Sequence, residues 1–198
     1  MIKFTKLSDE SPYKIFREKY NNARDANQKN IEAVSISSYS KSLNEVNSRF
    51  VNLKTLNDKD FIFFSNYESP KSQEFAEHNQ ITALFYWNAV NVQIRLKAII
   101  KKTSKEYNSA YFESRSEEKN ALAISSHQSK AIDSYDSVRK NYNKSLNSDN
   151  LKECPEYWGG YLFTPYYFEF WEGHESRLNK RDIYKVKEGE WDHYNLQP

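Results

Sequence analysis

Residues 90–103 read VNVQIRLKAIIKKT, and apolar and polar side chains alternate through the first half of that run. Successive side chains of a strand point to opposite faces. Val90, Val92, Ile94, Leu96 and Ala98 therefore share one side, and Asn91, Gln93, Arg95 and Lys97 the other. A long strand with one apolar and one wet face belongs in an antiparallel sheet, since the strands of parallel sheets are covered on both sides.

Shorter runs of the same kind lie around it. Ala33–Ser38 (AVSISS), Arg49–Leu56 (RFVNLKTL), Phe61–Ser65 (FIFFS) and Ile81–Trp87 (ITALFYW) read as strands, and Asn57-Asp58-Lys59-Asp60 is a hairpin turn between two of them. In the Arg49 strand, Phe50, Asn52 and Lys54 point one way and Arg49, Val51 and Leu53 the other. Tyr39 to Ser48 reads as a polar connection.

Helical spacing appears from Pro12 to about Asn27, from the Ser69-Pro70 start to about His78, and in Ser104–Ser114, Glu117–Ser125 and Ser129–Leu146. Residues 147–156 form a polar linker.

The C-terminal part returns to strands at Tyr161–Thr164, Tyr166–Trp171, Ile183–Val186 and Trp191–Leu196. Gly159-Gly160 reads as the turn that opens this part, Pro165 as a break, and Glu188-Gly189 as the last hairpin turn. Residues 1–12 read as a loose arm. The expected fold is one domain over 1–198, mainly β with α (α+β). It has about seven strands in a small antiparallel, Greek-key-like barrel with peripheral helices.

Aromatic residues make up 16% of the 198, with 15 Tyr and 12 Phe, so the core is expected to be aromatic. The net charge of +2 comes from 29 basic and 27 acidic residues scattered along the chain, which argues against a nucleic-acid partner. Cys154 is the single cysteine, so no intrachain disulfide forms, as suits a reducing compartment. The N-terminal MIKFTKLSDESPY lacks the apolar core of a signal peptide, and the longest apolar run, near Ile81–Trp87, is too short to span a bilayer. The cytoplasm is the expected setting.

Motifs for dinucleotide or phosphate loops, zinc proteases and serine-hydrolase elbows are missing, and the four histidines are too dispersed for a metal site. What remains is arginine, lysine, glutamine, serine and aromatic side chains. Such groups bind anions and flat rings, and they leave the reaction to a cofactor. The stretch from Trp158 to Arg181, WGGYLFTPYYFEFWEGHESRLNKR, ends an aromatic run in a loop carrying Arg177 and Arg181, which suits stacking on a ring and holding an anion.

Taken singly, these residues read as surface, cap or core. Their order along the chain resembles the pyridoxamine 5′-phosphate oxidase family. The segments that carry the likeness are Arg49-Phe-Val-Asn-Leu-Lys54, Phe64-Ser65, Lys71, Gln93, Tyr111-Phe-Glu-Ser-Arg115, Gln128-Ser129 and Trp158 through Trp171 to Arg181.

The resemblance implies an FMN-binding split β-barrel and a homodimer with FMN at the subunit interface, residues from about 158 to 198 serving dimerisation and substrate. For FMN it implies Arg49 and Lys71 at the phosphate, with Phe50, Val51, Asn52, Leu53, Lys54, Phe64 and Ser65 along the rest. Gln93, Gln128, Ser129, Trp171 and Arg181 are implied from the partner subunit. For the substrate it implies Lys54, Tyr111 and Arg115 around a phosphate, Lys119 and Asn179 beside them, and Arg177 over the pyridine ring as the catalytic residue.

The implied activity is oxidation of pyridoxamine or pyridoxine 5′-phosphate to pyridoxal 5′-phosphate, with dioxygen reduced to hydrogen peroxide. The alternatives are a split-barrel oxidase of another flat molecule, as in phenazine pathways, and a non-enzymatic binder of flavin or pyridoxal phosphate. Four positions depart from the family pattern: Pro70 stands for an arginine, Lys119 for a serine, Asn179 for a histidine and Ala98 for a glycine.

Overall fold

In the computed structural model, which describes residues 1–148 and 150–198 with the backbone alone at Ser148, the alternating run forms a strand of 11 residues, Val92–Lys102. It lies inside a sheet of 10 strands. In chain order these are β1 (Lys3–Thr5), β2 (Ala33–Ser40), β3 (Glu45–Asn52), β4 (Thr55–Asn57), β5 (Asp60–Asn66), β6 (Gln80–Trp87), β7 (Val92–Lys102), β8 (Trp158–Glu172), β9 (Lys180–Lys187) and β10 (Glu190–Asn195). The helices are α1 (Ser11–Asp25), α2 (Pro70–Glu77), α3 (Lys105–Glu113), α4 (Glu117–Ser125) and α5 (Tyr135–Ser148). No helix of the described residues is long and apolar enough to cross a membrane.

The strand order is β1-β4-β5-β8-β7-β6-β2-β3, with β9 branching from β8 and β10 from β9. Every pairing is antiparallel except β1 with β4. The β7 face carrying Val92, Ile94, Leu96 and Ala98 is buried, as the alternation required. Val90 drops out of the strand into a 3₁₀ turn over Asn88–Val90. The core is aromatic: Tyr13 and Phe16 of α1 pack on Phe61, Phe85, Trp87 and Phe168, with ring centroids 5.0–6.4 Å apart.

Several expectations change. Residues 1–12 are not a loose arm. Lys3–Thr5 pair in parallel with Thr55–Asn57, Ile2 is buried, and its amide donates to the Tyr20 hydroxyl at 3.1 Å. The expected Tyr39–Ser48 connection is mostly strand, because β2 and β3 form a hairpin whose register runs from Ala33↔Asn52 to Ser40↔Glu45. Ser129–Ser134 is not helical; Ser129 has φ 68°, and α5 begins at Tyr135.

Pro165 does not break the C-terminal run. One strand of 15 residues passes through it, and the register against β7 shifts there, Lys97 facing Tyr167 and Ala98 facing Pro165. A bulge tolerates a proline, whose missing N–H would otherwise leave a gap in the ladder. The Gly159-Gly160 pair is likewise strand, opposite Ser65 and Phe64. A Cβ at Gly159 would run into Tyr67 and Asn108, and one at Gly160 into Thr103. Close approach, rather than a turn, accounts for both glycines. The turns at Asp58 (φ 51°) and Glu188-Gly189 (φ 52° and 89°) fall where the sequence indicated.

Candidate active site

A cavity of about 1100 Å³ opens beside β3, β5, α2, α3 and α4. That is slightly above the roughly 300–1,000 Å³ usual for one small ligand. Fourteen sequence positions are enough to describe it. Arg49, Phe50, Val51, Asn52 and Lys54 come from β3 and the bend after it, Phe64 and Ser65 from β5, and Lys71 from α2. Tyr111 and Arg115 come from α3 and its end, Lys119 from α4, and Gln128 and Ser129 from the loop after α4; Trp158 of β8 closes the wall.

At one end, Lys71 is 7% exposed on the first turn of α2. Its Nζ donates to the hydroxyls of Ser69 at 3.1 Å and Ser65 at 3.3 Å, and it forms no ion pair with the described residues. Burial, and then the nearby Arg49 guanidinium, pull its pKa down to about 8, while Glu74 works against them. Ser69 does not cap α2 with its side chain; its hydroxyl donates instead to the Asn66 carbonyl at 2.7 Å. Arg49 donates to Ser38 Oγ at 2.5 Å, to the Ile36 carbonyl at 3.3 Å and to Glu74 Oε2 at 2.7 Å.

A buried ammonium that among the described residues is held by hydroxyls, with the Arg49 guanidinium near enough to act on it, is a donor set that fits a phosphate monoester. The FMN phosphate expected from the resemblance therefore has residues here suited to it.

At the other end, Lys54, Arg115 and Lys119 converge. The Lys54 pKa is lowered by burial, against the pull of Glu32, with smaller pushes in the same downward direction from Lys119 and Arg115. The Arg115 guanidinium lies 4.4 Å over the Trp158 ring, donates to the Lys119 carbonyl at 3.0 Å and leaves Nη1 buried without a hydrogen-bond partner among the described residues. Burial lowers its pKa. Burial also raises that of the Tyr111 phenol, against the pull of Arg115, so the hydroxyl keeps its proton. Phe64 joins the two ends: its ring stacks on Tyr111 at 3.7 Å and on Trp158 at 5.1 Å.

Not every implied residue takes the place the resemblance gave it. Leu53 is fully buried in the core and can offer a ligand only its backbone. Gln128 and Ser129, implied from a partner subunit, line this chain's own cavity, where Gln128 Oε1 accepts from the Asn66 amide at 3.3 Å and the Ser65 hydroxyl at 3.4 Å.

Gln93, Trp171 and Arg181 stand outside the cavity, directly opposite one another on β7, β8 and β9. Opposed residues share a face. Arg181 and Arg95 both bind the buried Glu169 carboxylate, Arg181 at 2.7 Å. Arg177 (φ 60°) and Asn179 sit in the β8–β9 loop, also away from the cavity; Asn179 Oδ1 accepts from the His174 amide at 3.0 Å.

Glu74 is the buried carboxylate among the cavity residues that the sequence did not single out, which also include Glu45, Asn47 and Asn66. Its place on α2 one turn after Lys71 was the available signal.

Comparison with known proteins places these features in context. Residues 158–198 match the family described as the pyridoxine 5′-phosphate oxidase C-terminal dimerisation region. The chain is 36% identical over 197 residues to the pyridoxine/pyridoxamine 5′-phosphate oxidase of Colwellia psychrerythraea, covering 96% of this chain and 88% of that protein. It is 34% identical over 175 residues to pyridoxine/pyridoxamine 5′-phosphate oxidase 1 of Hydrogenovibrio crunogenus, covering 88% and 81%.

Among solved structures, PhzG of Burkholderia lata in complex with tetrahydrophenazine-1-carboxylic acid superimposes with a TM-score of 0.88 at 23% identity, covering 95% of this chain and 93% of that one. A pyridoxamine 5′-phosphate oxidase-related FMN-binding protein of Nostoc punctiforme gives 0.79 at 11% identity, covering 96% and 99%. The fold is the split barrel shared with these two proteins, with the parallel β1–β4 pair in place of the expected loose N-terminus.

Proposed function

The chain belongs to the pyridoxine/pyridoxamine 5′-phosphate oxidase family of FMN-dependent oxidoreductases, and from this we propose that it oxidises pyridoxamine or pyridoxine 5′-phosphate to pyridoxal 5′-phosphate, dioxygen becoming hydrogen peroxide. The observation that carries this reading is that Lys54, Arg115 and Lys119 line one end of a single cavity beside the rings of Tyr111, Phe64 and Trp158. Glu32 is the one acid acting on Lys54, and a phosphate monoester next to a flat ring suits such a surplus of positive charge.

FMN, when bound, supplies the two-electron redox chemistry. The protein's part is positioning and electrostatics. Arg49 and Lys71 hold the flavin phosphate, and Ser65 and Gln128 offer a hydroxyl and an amide further along. Lys54 and Arg115 anchor the substrate phosphate and the Tyr111 hydroxyl donates to it. Lys119 supplies charge where the family pattern has a serine.

Arg177 stands outside its own chain's cavity, so in this reading the arginine that covers the substrate ring is Arg177 of the partner subunit. Gln93, Trp171 and Arg181, aligned across three strands, approach the same flavin from that side. The match of residues 158–198 to a dimerisation region supports such a shared site. In a two-fold dimer each subunit completes the other's cavity.

The test is turnover by the FMN-loaded protein. Pyridoxal phosphate and peroxide should appear together from at least one of the two substrates, and a flavin-loaded protein that forms no pyridoxal phosphate from either would overturn the reading.

A second reading keeps the flavin and changes the substrate. It is favoured by Asn179, whose carbonyl oxygen is already engaged by the His174 amide and whose side chain cannot become cationic. Oxidation of an unphosphorylated aromatic carboxylate in preference to the phosphorylated amines would favour it. So would failure of Asn179→His to raise the phosphate-substrate activity.

A further inference from the structure

Two carboxylates line the described cavity, and they differ in setting: Glu45 is exposed, whereas Glu74 is 5% exposed. Glu74 is held from three sides. Its Oε2 accepts from Arg49 Nη2 at 2.7 Å and from the Ser38 hydroxyl, and its Oε1 accepts from Asn47 Nδ2 at 3.1 Å. Lys71, one turn earlier on α2, faces hydroxyls instead. The cradle assigned to the flavin phosphate therefore holds two cations and one buried anion, and Pro70 stands where the family pattern has a further cation.

The geometry points to Glu74 as the residue that sets how tightly this chain holds its flavin phosphate, acting as a built-in anion that competes for Arg49. The inference rests on the reading of Arg49 and Lys71 as the phosphate cradle. A buried carboxylate is retained only when paired, so Glu74 keeps its claim on Arg49 whatever else enters the cavity. A phosphate that shares Arg49 must lie next to that carboxylate, and like charges at such range repel through a poorly screened interior. The cradle then offers a dianion a net charge of one positive unit instead of two.

A purely structural role is also available to Glu74, because it ties α2 to β2 and β3 through Ser38, Asn47 and Arg49. The two roles separate in the choice of ligand. Riboflavin carries the same ring system and side chain as FMN but lacks the phosphate. A structural defect moves both affinities together, and competition for Arg49 moves only that of FMN.

The experiment measures dissociation constants of FMN and riboflavin by quenching of flavin fluorescence, on the flavin-depleted full chain, for the wild type, Glu74→Gln and Lys71→Met. Glutamine keeps an oxygen for Ser38 and Arg49 and removes the charge. The expected result is about tenfold or more tighter FMN binding in Glu74→Gln, the size of a charge-assisted hydrogen bond regained by the phosphate, with riboflavin unchanged.

FMN affinity that stays constant or weakens, or an equal shift for both ligands, would overturn the inference. Lys71→Met checks the premise separately. A selective loss of FMN there, with no gain in Glu74→Gln, sinks the role of Glu74 and leaves the cradle standing. No loss of FMN in Lys71→Met sinks the cradle itself. Should Glu74→Gln fail to fold by circular dichroism, Glu74→Asp draws the carboxylate back from Arg49 and should tighten FMN by a smaller factor; unchanged or weaker binding in that variant counts against the inference equally.

Discussion

The ring of Tyr111 lies flat on that of Phe64, their centroids 3.7 Å apart and their planes 6° from parallel. Tyr111 belongs to the end of the cavity assigned to the substrate phosphate and Phe64 to the wall assigned to the flavin. One contact between α3 and β5 thus ties the two binding regions together.

Tyr111→Phe keeps this stack and removes only the hydroxyl. A hydrogen bond to a charged group contributes about 1.5–3 kcal/mol, so KM for the phosphorylated substrate should rise by about tenfold or more. FMN affinity should not change. Tyr111→Ala also strips packing from Phe64 and should weaken both ligands. Steady-state kinetics alongside flavin titration checks the pair, and equal behaviour of the two variants would refute the coupling.

Arg177 lies outside the cavity of its own chain, and this makes a prediction about mixed dimers. Arg177→Ala alone should lower kcat/KM by about a hundredfold or more, as expected when a charge aimed at the reacting group is removed. Arg115→Ala alone should also be poorly active. When the two variants are co-refolded, half of the dimers are mixed and each carries one intact site, so about a quarter of wild-type activity should return. No recovery in verified mixed dimers would mean that Arg177 does not act across the interface.

A flavin phosphate held by Lys71 would make FMN affinity depend on pH. Its pKa of about 8 lies below the ordinary lysine value of 10.5, through burial and then Arg49. Below pH 8 it is charged and ready for a phosphate. Above pH 8 binding the dianion must first bring a proton to it, so FMN affinity should fall by about tenfold per pH unit up to the ordinary lysine value. The flavin phosphate is already a dianion there. The same shift acts oppositely on the ligand-free fold: its cost is fully present below pH 8 and is relieved as pH rises towards 10.5. Isothermal titration between pH 7 and pH 10 measures the binding side, and Lys71→Met should abolish the slope.

Gly160→Ala tests the close approach of β8 to its neighbours. The added methyl group would meet the Thr103 hydroxyl and crowd the Phe64 ring. Overpacking of this kind costs about 1–3 kcal/mol, which for a chain of this size is a fall in Tm of about 2–12 °C. Gly189→Ala meets no atom within 4 Å, though its φ of 89° makes it strained. It should therefore lose stability without affecting FMN affinity. Gly160→Ala should lose both, because Phe64 lines the cavity.

The amino-acid sequence by itself determined the faces of β7, the hairpin turns at Asp58 and Glu188-Gly189, the start of α2 and the aromatic character of the core. Each of these follows from local spacing or from the backbone preference of one or two residues, and no distant partner alters it. The order of arginines, lysines and aromatics along the chain likewise marked the family. Only the tertiary structure decided the rest, because pairing partners are set by contacts far apart in the chain. The parallel pairing of Lys3–Thr5 needed Thr55–Asn57, the passage of one strand through Pro165 needed a bulge against Lys97 and Ala98, and Gly159-Gly160 needed Tyr67, Asn108 and Thr103 pressing on them. The sequence did not single out Glu74. Its burial against Arg49 exists because β2, β3 and α2 close over it, and a charge taken from water must find its counter-charge wherever the fold brings one.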